Sequence, residues 1–155
     1  LMDASLFPHE INNVLHDLSM RQKVIAFEDV AKRAPQIKLR LEHRFWPGYY
    51  MRVLYIPAGI ITTGKIHKHE CVSILAEGER TTLVGDELKH IKAPHIHVSP
   101  PGFKRVSYTH KDSVWITLHP TEETDIAKLE ADLVCDTEEE YQAFLVGQER
   151  MKCLS

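Results

Sequence analysis

The residues with the clearest capacity for chemistry lie in the run Gly64-Lys-Ile-His-Lys-His-Glu-Cys-Val-Ser-Ile-Leu-Ala-Glu-Gly78. On an extended strand alternate side chains share a face, which would place Lys65, His67, His69, Cys71 and Ser73 together. Two imidazoles two residues apart stand roughly 7 Å apart at Cα, close enough to lean onto one transition metal. With Cys71, or with a third histidine from another strand, His67 and His69 would suit zinc, iron, nickel or copper. His119 is favoured over His110 as that recruit, because Trp115, Thr117 and His119 fall on one face and the indole could wall a pocket. The blander alternatives are a histidine pair that only hydrogen-bonds in a polar interior and a cysteine that packs as a small apolar residue.

Cations near the same region could hold a carboxylate or phosphate. Arg105, Lys65, Trp115 and Tyr108 are the candidate ligand contacts, whereas Lys104 reads as a solvated cation. His95 and His97 repeat the alternate spacing and read as a solvent-facing strand.

These side chains need a β framework to position them. Before it, Ile11, Val14, Leu15 and Leu18 follow helical spacing, with Pro8 at a first helical position, and a second short helix is expected over Phe27 to Arg33. From Ile37 the period becomes two. Strands are expected over Ile37 to Leu41, Tyr49 to Ile56, Lys65 to Leu75, Glu79 to Val84, Leu88 to Lys92, His95 to Ser99, Lys104 to His110 and Val114 to His119. The segments Phe45-Trp46-Pro47-Gly48, Pro57-Ala58-Gly59, Gly78, Gly85-Asp86, Pro94, Pro100-Pro101-Gly102 and Lys111-Asp112 read as the punctuation between them. Many short strands at even spacing predict a sandwich or jelly-roll barrel. Past Pro120, Thr137 and Glu140 form a capping box ahead of the apolar stripe Tyr141, Phe144 and Leu145. Residues 125–134 are ambiguous between helix and strand. The division expected is a helical segment over 1–36, a barrel over 37–120 and a helical segment over 121–155.

At 155 residues and 43% hydrophobic, the chain can bury one core. A formal charge of -3 excludes general attraction to nucleic acid or anionic membranes. The apolar runs fall far below the ~20 residues of a membrane span, and no signal-peptide pattern opens the chain. Three cysteines form no paired framework. A cytoplasmic protein is expected.

Gly64, His67, His69, Gly78 and the Pro100-Pro101-Gly102 turn resemble the two-motif signature of the cupin superfamily, over roughly Tyr49 to His119. More narrowly, Pro57-Ala58-Gly59, the Gly-Lys-Ile-His-Lys-His run, Ser99-Pro100-Pro101-Gly102 and Val114-Trp115-Ile116-Thr117 resemble small uncharacterised cupin-like proteins of tailed-bacteriophage genomes. The resemblance implies a mainly β, cupin-like jelly-roll (double-stranded β-helix) barrel with short N-terminal helices and a C-terminal helix, a divalent metal inside it and a small-molecule ligand. Host cytoplasm would be the location if the chain is phage-encoded. Exposed sheet edges braced by terminal helices point to a homodimer. The family's usual glutamate is replaced here, Ser73 and Ile74 occupying that interval, and its usual third histidine by Arg105. A guanidinium does not ligate metals, so an inward Arg105 needs an acceptor, either Glu70 or Asp86 or an acidic ligand. Two functions follow as expectations: a metal-dependent enzyme acting on an acidic small molecule, or a non-enzymatic phage accessory, ligand-sequestering or scaffold protein.

Overall fold

The computed structural model describes residues 20–84 and 87–153. The helix expected over residues 5–18 lies outside them. Helix α1 (Met20–Ala31) begins well before the second expected helix and ends two residues sooner. Its Glu28 accepts a salt bridge from Lys104 at 2.6 Å; the Lys104 side chain is only 4% exposed, so it is a buried tether and not a solvated cation.

Among the described residues nine strands and two further helices follow. They are β1 (Arg40–Trp46), β2 (Tyr49–Ile56), β3 (Ile61–Thr63), β4 (Ile66–His67), β5 (Cys71–Val84), β6 (Glu87–Lys92), β7 (His95–Ser99), β8 (Val106–Pro120), α2 (Ile126–Leu133), β9 (Val134–Cys135) and α3 (Glu138–Cys153). The fold is a jelly-roll built on antiparallel pairs. Strand β5 pairs with β7 through its first half, with β6 through its second, and with β8 through both. Strand β8 pairs with β3 near its start and with β2 beyond Ser113, so these two long strands carry every other ladder of the main sheet except β1–β2.

Three segments differ from the sequence expectations. Phe45 and Trp46 are strand and not turn, because the β1–β2 ladder runs down to Trp46 opposite Tyr49 and leaves only Pro47 and Gly48 for the reversal. Lys111 and Asp112 do not divide two strands, since the chain stays extended and Lys111 lies opposite Glu79. The expected strand over Lys65 to Leu75 is broken at residues 68–70, between β4 and β5. In the ambiguous region, helix α2 fills residues 126–133, with the Asp125 side chain accepting from the Lys128 N–H at 3.0 Å. At α3 the capping box forms: the Glu140 N–H donates to Thr137 Oγ1 at 3.2 Å, and the Asp136 N–H donates to the Glu140 carboxylate at 2.8 Å.

The core has two parts. Ile56, Leu75, Ile91 and Trp115 fill the barrel, while Ile66, Cys135 and Tyr141, with Phe144 against them, fasten the C-terminal helix to the β4–β9 ribbon. No described helix is long and apolar enough to cross a membrane. The turn at residues 100–102 meets both β4 and the C-terminal helix. The Gly102 N–H donates to the His67 carbonyl at 2.7 Å, the His67 N–H donates to the Phe103 carbonyl at 3.1 Å, and a Cβ on Gly102 would lie 2.7 Å from the Tyr141 hydroxyl.

Gly78 lies where the β5–β8 register shifts. Its φ is +92°, and a Cβ there would lie 2.5 Å from the Asp112 carbonyl oxygen and 2.8 Å from the Ser113 Cα. Both the left-handed backbone and the close approach demand glycine. Gly78→Ala is expected to lower stability by about 2 kcal/mol or more in denaturant unfolding; an unchanged midpoint would refute this role.

Candidate functional site

His67 closes the short strand β4, held opposite Val134 of β9 and by the two backbone bonds to the 102–103 turn. The chain bends over residues 68–70, with the Lys68 N–H donating to the Leu133 carbonyl at 2.9 Å, and β5 opens at Cys71. The bend returns the Cys71 thiol to 3.4 Å from His67 Nδ1. His119 arrives from β8, whose inward row includes Ser107, Thr109, Ser113, Trp115, Thr117 and His119. Its ring stacks on His67 at 5.8 Å between centroids and on Tyr50 at 5.9 Å, and the Tyr50 hydroxyl lies 2.7 Å from His43 Nδ1.

One ligand atom each from His67, Cys71 and His119 lies within 4.8 Å of the others, the one such group of three among the described residues. Two ligands of a tetrahedral zinc, each about 2.0–2.3 Å from the ion, stand roughly 3.5 Å apart. The Cys71–His67 spacing matches that, and the sulfur and imidazole donors suit zinc, iron, nickel or copper. Burial is the main reason both histidines sit far below their usual 6.5, at about 4. The nearby charges of Arg105 and Arg52 add to it at His67, and those of His67 and Arg52 at His119. Both rings are therefore neutral near pH 7, the state that donates to metal. Burial pushes the Cys71 thiol up, so without a metal it is held as S–H beside the imidazole.

His69 does not join this group. Because the strand breaks after His67, the alternation that would have put both rings on one face is lost, and His69 is exposed with its ring edge-on to Phe144 at 5.5 Å. Tyr108 also stands apart. It occupies the outward row of β8, exposed, with its ring 4.8 Å from that of His110.

Two of the three donors, His67 and His119, line a cavity of about 300 Å³ whose wall also includes Trp115, Arg52, Arg80 and Arg105. Lys65 lies on its rim, paired with Asp136 at 3.0 Å and Glu130 at 3.5 Å. Arg105 points inward and donates to Ser99 Oγ at 3.0 Å and to His97 Nε2 at 2.5 Å, with its Cζ 4.4 Å from the Trp115 ring centroid. Among the described residues no carboxylate pairs with it; Glu70 is exposed, and Asp86 lies outside those residues. Ser73, within the interval of the usual cupin glutamate, is buried and bonded to Ser99 Oγ at 2.9 Å.

Arg52 and Arg80 escaped the sequence reading. The signal was present in the alternation Tyr50, Arg52, Leu54, Ile56, which puts an arginine in the row of β2 that lines the cavity. His97 likewise faces inward. Because a guanidinium can only donate, His97 Nε2 must accept from Arg105, which leaves its Nδ1 as the N–H; that nitrogen is buried without a partner.

No family model and no curated protein sequence matches the chain. Solved structures do match in shape. A salicylate 1,2-dioxygenase from Pseudaminobacter salicylatoxidans superposes with a TM-score of 0.51 at 12% identity, over 72% of this chain and 34% of that one. The chain has the double-stranded β-helix fold of the cupins. Two further similar structures are KdgF from Halomonas sp. (TM-score 0.49, 13% identity, 59% of this chain and 88% of that chain) and an uncharacterised double-stranded β-helix protein from Klebsiella pneumoniae (TM-score 0.48, 15% identity, 59% and 85%). At such identities the cupin likeness describes the architecture and leaves the chemistry to the residues themselves.

Burial, Arg105 and His95 keep the His97 ring near 4 instead of 6.5. Between those values the unfolded chain binds a proton that the folded one refuses, so folding stability should fall as pH drops from 6.5 towards 4. The buried His67 and His119 act in the same direction. Denaturant midpoints across this range should decline, less steeply in His97→Gln; a flat profile would contradict the burial of these neutral rings.

Proposed function

We propose that this cupin-fold protein binds a divalent transition metal through His67, Cys71 and His119 and takes a small anionic molecule in the cavity beside it. The observation that carries this reading is the convergence of three neutral or ionisable donors at metal-ligand spacing, two of which, His67 and His119, line a cavity that also presents Arg105. Three protein ligands would leave a position open on the ion, as catalytic metal sites do. A bound ion would supply Lewis acidity toward water, or toward a carbonyl oxygen of the ligand. The residues of the chain do the rest: Tyr50 and the His67 ring flank His119, Trp115 offers an apolar wall, and Arg105 orients the acidic group of the ligand.

Elemental analysis of purified wild-type protein and of His67→Ala, Cys71→Ser and His69→Ala tests the donor set. Stoichiometric metal should be retained by wild type and His69→Ala and largely lost from His67→Ala. With cobalt loaded, a thiolate-to-metal charge-transfer band should appear in wild type and vanish in Cys71→Ser. Absence of metal from the wild type, or its loss from His69→Ala as fully as from His67→Ala, would defeat this reading.

A further inference from the structure

Three guanidinium groups line the cavity, and no carboxylate among the described residues pairs with any of them. Arg80 is buried and rests on hydroxyls, with Nε 3.3 Å from Thr109 Oγ1 and Nη2 2.5 Å from Thr62 Oγ1. Arg105 has a hydroxyl and an imidazole, and its Nε is buried without a partner. Arg52 Nε is also buried and unpartnered, and no side-chain hydrogen bond reaches this residue from the described chain. The carboxylate on the wall, Glu130, is exposed and turned to Lys65. Buried cations are ordinarily paired, and separating like charges in a low-dielectric cavity from their counter-ions is costly. Burial, and at Arg105 the charge of Arg80, draws both guanidiniums down to about 10, so each remains charged near neutral pH.

Two of the three guanidiniums share one ring. Arg80 and Arg105 both lie against the Trp115 ring, their Cζ atoms 5.2 Å and 4.4 Å from its centroid. Arg52 stands on β2 opposite Thr117, between the β8 positions of Trp115 and His119, and also lines the cavity. We infer that the cavity selects a compact molecule carrying at least two negative charges, one group held by Arg80 and Arg105 and a second by Arg52, with its carbon frame against Trp115. A dicarboxylate and a phosphate monoester share that chemistry, and a cavity of about 300 Å³ admits either only if small. This rests on reading the cavity as a ligand site and is independent of whether metal binds.

Calorimetric titration at matched ionic strength, on metal-loaded and chelator-treated protein, tests it with succinate and glycerol phosphate as dianions and with butyrate and glycerol as controls. Both preparations should bind at least one dianion about tenfold or more tighter than butyrate, and glycerol not at all. The tighter of succinate and glycerol phosphate identifies the acidic group. Arg80→Gln and Arg105→Gln should each remove the preference, while Lys89→Gln, exposed on β6, should keep it. The wild-type charge series needs no variant to fold. Butyrate equal to the dianions, no dianion binding, or a preference confined to metal-loaded protein would overturn the inference, whereas failure to take up metal would defeat only the metal reading.

Discussion

The ladder between β5 and β8 is the constraint on which the rest of this structure depends. Each strand is long enough to belong to both halves of the barrel, so the two must bend together, and the register shifts around Gly78 are where they do so. Hydrogen bonds between strands are continuous only if the backbones meet closely at that bend. The contact of Gly78 with the backbone of Asp112 and Ser113 is therefore a condition for the inward row of β8, and that row delivers Trp115 and His119 to the cavity.

The interior built in this way is polar on one side and apolar on the other. Ile56, Leu75 and Ile91 cluster with Trp115, whose ring also lies against Arg80 and Arg105, and Ile56 itself reaches the cavity wall. Apolar packing and buried charge thus meet at one ring. The apolar cluster favours folding through area removed from water, while the charged side opposes it through desolvation. Hydroxyls of Thr62, Thr109 and Ser99 soften the opposition without neutralising it, since each offers an acceptor and no charge.

Much of the framework was legible because strand alternation and turn residues are local. The strand over Tyr49 to Ile56, the strand over His95 to Ser99 and the Thr137–Glu140 cap follow from neighbours within a few residues. What escaped depends on distant partners. The run from Gly64 to Gly78 reads as one strand, yet the Lys68 N–H bonds to Leu133, sixty-five residues on, and the bend it belongs to separates His69 from His67 and restores Cys71. Lys111 and Asp112 look like a turn until the opposing ladder holds them extended. Arg52 and Arg80 carried a period-two signal, but alternation assigns a row of side chains and not which row is hollow.

Tyr141 gives the C-terminal helix a reach beyond its own cluster. Its ring lies over Gly102, and the same turn grips the backbone of His67 from both sides. The last helix is thus a clasp on the segment that carries His67, more than seventy residues earlier in the chain. Loosening that clasp would leave the barrel's long ladders intact while freeing one imidazole to swing away from Cys71 and His119.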